Sequence, residues 1–137
     1  AVYSLHRYVA TGNPEYYQKF QESIQVPLGD RQARLELEKP DPDFVKVFEG
    51  FRQGQIHEED IPGLIKTLVR FHANRYIARA VQVWTKADQQ FDEIIKAADE
   101  LHHLIQSRNV TEAAVQAKMT AIDRLNEELT DLENEFS

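Results

Sequence analysis

An all-α fold is predicted, a helical bundle built on a long C-terminal antiparallel helix hairpin with several short helices ahead of it. Three features of the 137-residue sequence predict it. Apolar residues recur at steps of three and four from Ile77 to Ile105, and again from Val115 to Phe136, the spacing of one helix face. Ser107, Arg108 and Asn109 form a tight joint between those two runs, so the helices must be antiparallel neighbours. Gly and Pro number only five each, too few for the closely spaced turns of a sandwich or barrel.

Taken in order, Val2, Leu5 and Val9 mark a first helix, stopped at Thr11-Gly12. Asn13 is a natural N-cap for the next, with Pro14 at the first helical position, where a missing N–H costs nothing. That second helix buries Tyr16 or Tyr17, Phe20 and Ile24, and Val26-Pro27-Leu28-Gly29 breaks it. A short helix through Ala33, Leu35 and Leu37 ends at Pro40, and Asp41-Pro42-Asp43 caps a further one carrying Phe44, Val47, Phe48 and Phe51 up to Gly54. Asp60-Ile61-Pro62 opens a helix with Leu64, Ile65, Leu68 and Val69, which hesitates near Ala73-Asn74. The long helix over Arg75 to Gln106 follows, about 48 Å at 1.5 Å per residue. Thr111-Glu112 leads into the last helix, where Ile122, Leu125, Leu129, Leu132 and Phe136 step by three and four like a coiled-coil seam. The chain reads as one domain, residues 1–137, without internal repeats.

Composition excludes several function classes. With 42% hydrophobic and 28% charged residues the chain is not disordered. It has no cysteine, which removes disulfides, thiolate metal sites and thiol catalysis. A net charge of −7 opposes nucleic-acid binding, which needs an excess of Lys and Arg. No apolar stretch approaches a membrane span, and no signal peptide opens the chain. The glycine-dependent nucleotide loops and the Gly-x-Ser-x-Gly elbow are missing. Glu100 and His103 form one Glu-x-x-His, but a di-iron bundle needs a second such pair, and none stands before His6, His57 or His72. His102 therefore reads as half-buried and bonded to a neighbour, and His103 as solvated. No metal, no cofactor and no catalytic residue is expected. His57-Glu58-Glu59-Asp60 reads as the acidic start of a helix, with Asp60 as cap.

Charge is unevenly distributed. Residues 29–60 carry five cations against nine acids, and residues 110–137 two against seven. From Ile61 to Ala87 there is no acid, while Lys66, Arg70, Arg75, Arg79 and Lys86 are present. On an unbroken helix His72, Arg75, Arg79 and Lys86 would fall within about 60° of one another. Such a stripe either pairs with acids (Glu127, Glu128, Asp131, Glu133 and Glu135, or Glu36 and Glu38) or holds an anion, with guanidinium forks gripping a carboxylate or phosphate and Tyr76 closing one side. Val26 to Arg31 reads as a corner, non-helical through Pro27, with Asp30 capping the helix that holds Arg31 and Arg34. Two arginines at such a corner suit an anionic ligand. The candidate ligand-binding set is thus Arg31, Arg34, Arg70, Arg75, Tyr76 and Arg79.

Leu5-His6-Arg7-Tyr8, Val26-Pro27-Leu28-Gly29-Asp30, Asp60-Ile61-Pro62-Gly63, the Trp84 helix and the segment from Leu129 to Ser137 occur in that order. Together they resemble the helical extracytoplasmic sensor region of bacterial transmembrane signalling proteins, the hybrid histidine kinases and diguanylate cyclases. The resemblance spans nearly the whole chain and assigns no ligand to any position. It implies a periplasmic portion of an inner-membrane protein, flanked by membrane helices, and both ends of the sequence read as cut from something longer. It implies a non-enzymatic ligand-sensing domain that transmits a helix displacement through the membrane. The partners expected are a small anion or a periplasmic protein, with a homodimer through the last helix as a further expectation. A non-sensing helical dimerisation or adaptor module, joined through Ile122, Leu125, Leu129 and Leu132, is the alternative.

Overall fold

The computed structural model describes residues 1–71 and 75–136, and the side chains of all of these except 71, 75–77 and 136. The described residues form helices and no strand: α1 (Val2–Thr11), α2 (Pro14–Ser23), α3 (Gln25–Leu37), α4 (Phe44–Gln53), α5 (Ile61–Phe71), α6 (Arg75–Gln106) and α7 (Glu112–Phe136). They gather into two compact units, one of Ala1–Gln21 with Ala80–Ser137 and the other of Glu22–Arg79. The expected break near Ala73-Asn74 lies outside the described residues, as does His72.

The first unit is the α6–α7 hairpin with α1 and the start of α2 laid on it. Gly12 ends α1 in the left-handed conformation (φ 67°), its N–H returning to the Tyr8 carbonyl. Asn13 Oδ1 accepts the Glu15 N–H at 3.0 Å, the cap expected ahead of Pro14. At the hairpin turn Thr111 Oγ1 accepts the Ala114 N–H at 3.2 Å and opens α7. The core is made of Leu5, Tyr8, Phe20, Ala80, Val83, Ile94, Ala98, Leu101, Val115, Met119 and Ile122, all buried. Tyr8 and Val83 are members that the apolar spacing did not mark. Burial runs down along α7: Ile122 is fully enclosed, whereas Leu125, Leu129 and Leu132 are only half-buried. Trp84, Ala87 and Phe91 on α6 are likewise half-buried.

The second unit holds α3, α4 and α5. Pro27 does not break a helix here. The interruption falls at Ile24, and α3 starts at Gln25, so Pro27 stands in the first turn, where N–H groups have no intrahelical partner. The expected corner is therefore helical, and Asp30 is not a cap but sits well inside α3. The anticipated cap of α4 is present: Asp43 Oδ1 accepts from Val45 N at 3.0 Å and Lys46 N at 3.4 Å. Glu36 reaches back across the same loop, its Oε1 accepting the Asp43 N–H at 3.1 Å and its Oε2 pairing with Lys39 at 2.8 Å. Those bonds satisfy a carboxylate that is only 7% exposed and hold it below the usual carboxylate range, Lys39 contributing most. Asp60 occupies the position before α5, its carbonyl accepting the Leu64 N–H at 3.0 Å.

Ala33, Val47, Phe51 and Ile61 form the centre of this unit, with Leu37, Phe48, Ile56, Leu64, Ile65 and Leu68 around them. Leu35, Phe44 and Val69, expected inside, are exposed at 46%, 51% and 47%. Small residues let α3 and α4 touch backbone to backbone. A Cβ on Gly29 would lie 2.7 Å from the Gly50 carbonyl oxygen, and one on Gly50 would lie 2.8 Å from Ala33 N. Gly29 and Ala33 on α3 are spaced by four and lie on one helix face, opposite Gly50 of α4. Gln53 Nε2 donates to the Gln25 carbonyl at 2.8 Å and pins the open end of the pair.

Candidate functional site

Three places in the molecule concentrate polar chemistry. The first lies where α1 and α2 meet α6. Tyr8 Oη and His102 Nδ1 share a hydrogen bond of 2.7 Å. The His102 ring stacks on Tyr17, centroids 4.0 Å apart and planes 4° from parallel, and Tyr17 stacks in turn on Phe20 at 6.1 Å. Burial pushes the Tyr8 phenol up, and burial together with Asp99 and Tyr8 does the same for Tyr17, so both phenols stay neutral. His102 is thus the half-buried, bonded histidine the sequence suggested, while His103 is exposed and faces Asp99 at 3.5 Å. His6 on α1 meets Asp123 on α7 at 2.7 Å. Arg7 lies over the Tyr16 ring at 5.3 Å, and Lys19 lies 5.2 Å from the same ring. No group of three or more potential metal ligands occurs among the described residues.

The second place is an open groove of about 650 Å³ between α6 and α7, away from their connecting turn. Lys86, Gln89, Gln90 and Glu93 line one wall, and Glu128, Asp131, Leu132 and Glu135 the other. Lys86, the last cation of the basic stripe, thus lines a groove together with acids of the last helix. Nearer the turn, Lys118 bridges to Glu100 at 2.5 Å and holds that carboxyl below its ordinary range.

The third is the set of arginines. Arg31, Arg34, Arg70, Arg75, Tyr76 and Arg79 all belong to the second unit. Arg31 and Arg34 are half-buried on α3, and Arg70 and Arg79 are exposed on α5 and α6. None of these four is a free cation, and Arg34 acts electrostatically on Asp30. Arg75 and Tyr76 open α6, and their side chains lie outside the described residues.

The sequence did not reveal the partners of His102 and His6. Tyr8 and His102 are 94 positions apart, and Asp123 is 117 positions from His6, so only the packed hairpin brings them together. No protein-family model matches the chain, and no curated protein or solved structure matches it.

Proposed function

We propose that this chain is a periplasmic ligand-sensing domain of a bacterial membrane receptor, of the histidine kinase or diguanylate cyclase type. It has no catalytic activity of its own and passes a displacement of its last helix through the membrane. The observation that supports this reading is the docking of the first helix on the last. Along α1, His6 meets Asp123 on α7, and Tyr8, further on, meets His102 near the α6–α7 turn. Thus α1 advances toward that turn while α7 runs away from it, and the two lie side by side in opposite directions within one unit. A push along α1 or a change in its seating acts directly on α7. A ligand drives such a shift only by binding one seating better than the other.

In this reading Arg31, Arg34, Arg70, Arg75, Tyr76 and Arg79 serve a small carboxylate or phosphate. The test is a thermal-shift screen of carboxylate and phosphate metabolites on the wild-type chain and on the double variant Arg75→Glu, Arg79→Glu. A metabolite that stabilises the first and not the second supports the site, and equal stabilisation of both rejects it. The receptor class is tested on the natural gene product. Apolar segments of about twenty residues on both sides, followed by a kinase or cyclase module, are expected, and their absence overturns the reading.

A dimerisation module is the second reading, favoured by the half-exposed seam of Leu125, Leu129 and Leu132. Ile122 is fully buried within its own unit and belongs to the fold, so the seam available to a second copy starts at Leu125. Sedimentation that shows a tight dimer, lost on Leu129→Asp, favours this reading.

A further inference from the structure

Among the described residues, Asp30 alone carries a buried side-chain oxygen without a hydrogen-bond partner. It lies inside α3 beside the closest approach of α3 to α4, and its Oδ1 is buried without a hydrogen-bond partner. A Cβ on Gly54, just past the end of α4, would run into its carboxylate. Asp30 is half-buried, with one carboxylate oxygen enclosed against the Gly54 backbone.

The charges around it are few. On α3, Arg34 stands one turn on and favours the ionised form. Desolvation outweighs that pull and pushes the carboxyl above its ordinary range. From α4 the neighbours at the crossing are Gly50, Gln53 and Gly54, none of them charged. Arg52 is committed to Glu49, its Nη2 donating at 2.6 Å, and also feels Glu58. A lone buried carboxylate oxygen needs a donor, and a neutral carboxyl needs less solvation and carries a hydrogen of its own.

We propose that Asp30 and Gly54 form a proton-sensitive clasp of the α3–α4 hairpin, which tightens when the carboxyl is neutral and loosens when it ionises. The sign follows from linkage. The fold binds this proton more strongly than the unfolded chain does. The clasp's contribution is complete below the ordinary aspartate range and is lost as pH rises through the higher folded value. Glu36 in the same unit works the other way, since its carboxyl is held low and its contribution is lost on acidification. The net pH response of the wild type mixes both, and a variant at Asp30 separates them.

Asp30→Asn keeps the shape, with a donor and an acceptor, and cannot ionise. Its Tm is expected to exceed the wild-type Tm by about 3–5 °C at pH 7.5, with the difference shrinking toward zero by pH 4. A difference that stays constant with pH, or a lower Tm at every pH, overturns the proposal. Should the variant fail to fold, a carboxyl carbon NMR titration of the wild type decides. An Asp30 midpoint above the ordinary aspartate range supports the clasp, and one at or below that range overturns it. Amide exchange gives the structural readout. The Gly54 N–H, bonded to the Gly50 carbonyl at 3.0 Å, gains protection on acidification in the wild type and not in Asp30→Asn.

Discussion

The two units reach stability by opposite uses of side-chain volume. In the first, two long helices face each other through large residues such as Ile94, Leu101 and Ile122, and Tyr8 fills the space under α1. In the second, three short helices pack around the apolar cluster of Ala33, Val47, Phe51 and Ile61, and α3 and α4 come close because Gly29, Ala33 and Gly50 have almost nothing on their facing sides. The first kind of packing depends on what the side chains add, and the second on what they omit. That difference predicts where each unit is fragile: the first should suffer from truncation, the second from enlargement.

The largest effect is expected from truncating Ile122, which is fully buried in the first unit. Ile122→Ala removes three carbons from a fully enclosed site and should cost about 2–5 kcal/mol by denaturant unfolding. Leu129→Ala, in the half-buried stretch of the same helix, should cost only about 1 kcal/mol. Equal losses at the two positions would mean that the far part of the hairpin is covered as fully as the near part, and the gradient along α7 would have to be abandoned.

Enlargement of the second unit comes next. Gly50→Ala should cost about 1–3 kcal/mol, although alanine is the better helix former. The added Cβ meets Ala33 N and the Gly29 carbonyl oxygen, each at 2.8 Å, and these are backbone atoms that cannot swing aside. Hydrogen exchange should quicken in α3 and α4. A neutral result would show that the helices separate at little cost and that their close crossing contributes little.

The same contrast explains how much was legible in the sequence. The hairpin was readable because Ile94, Leu101 and Ile122 announce a helix face by their spacing, and a joint of three residues admits only one arrangement. Asn13 and Asp43 were readable because a cap acts within three residues of itself. The small-residue crossing was not, since a glycine carries no apolar signal, and Val26-Pro27-Leu28-Gly29 looks the same as a corner or as a first turn. What separates the two is whether the N–H that Pro27 lacks was needed, and in the first turn it was not. The polar cluster was half legible. The sequence reads His102 as half-buried and bonded to a neighbour, but nothing local to Tyr8 or Tyr17 foretells that they close on it.

Tyr8→Phe tests that cluster with a smaller change. The ring remains and keeps its place near Tyr17, centroids 5.7 Å apart, so only the bond to His102 Nδ1 is removed. A loss of about 1–2 kcal/mol is expected, because His102 is half-buried and Nδ1 loses its partner. His102→Phe should lose a similar amount, and the double variant less than the sum. Additive losses would show that the two side chains contribute by packing alone.

The smallest effect sharpens the account of the glycines. Gly63 lies in the first turn of α5, where an added Cβ would meet nothing within 4 Å and the backbone lacks the positive φ that would penalise a side chain. Its exposure and helical backbone leave only the unfolded chain to feel a substitution, which restricts the backbone there before folding begins. Gly63→Ala should therefore stabilise the protein by about 0.5–1 kcal/mol. The gain at Gly63 and the loss at Gly50 come from the same chemical change, one methyl group on a helical glycine. Opposite signs at the two sites would locate the second unit's constraint in the α3–α4 contact itself. A loss at both would point instead to a need for glycine flexibility along these short helices, and the volume argument would fail.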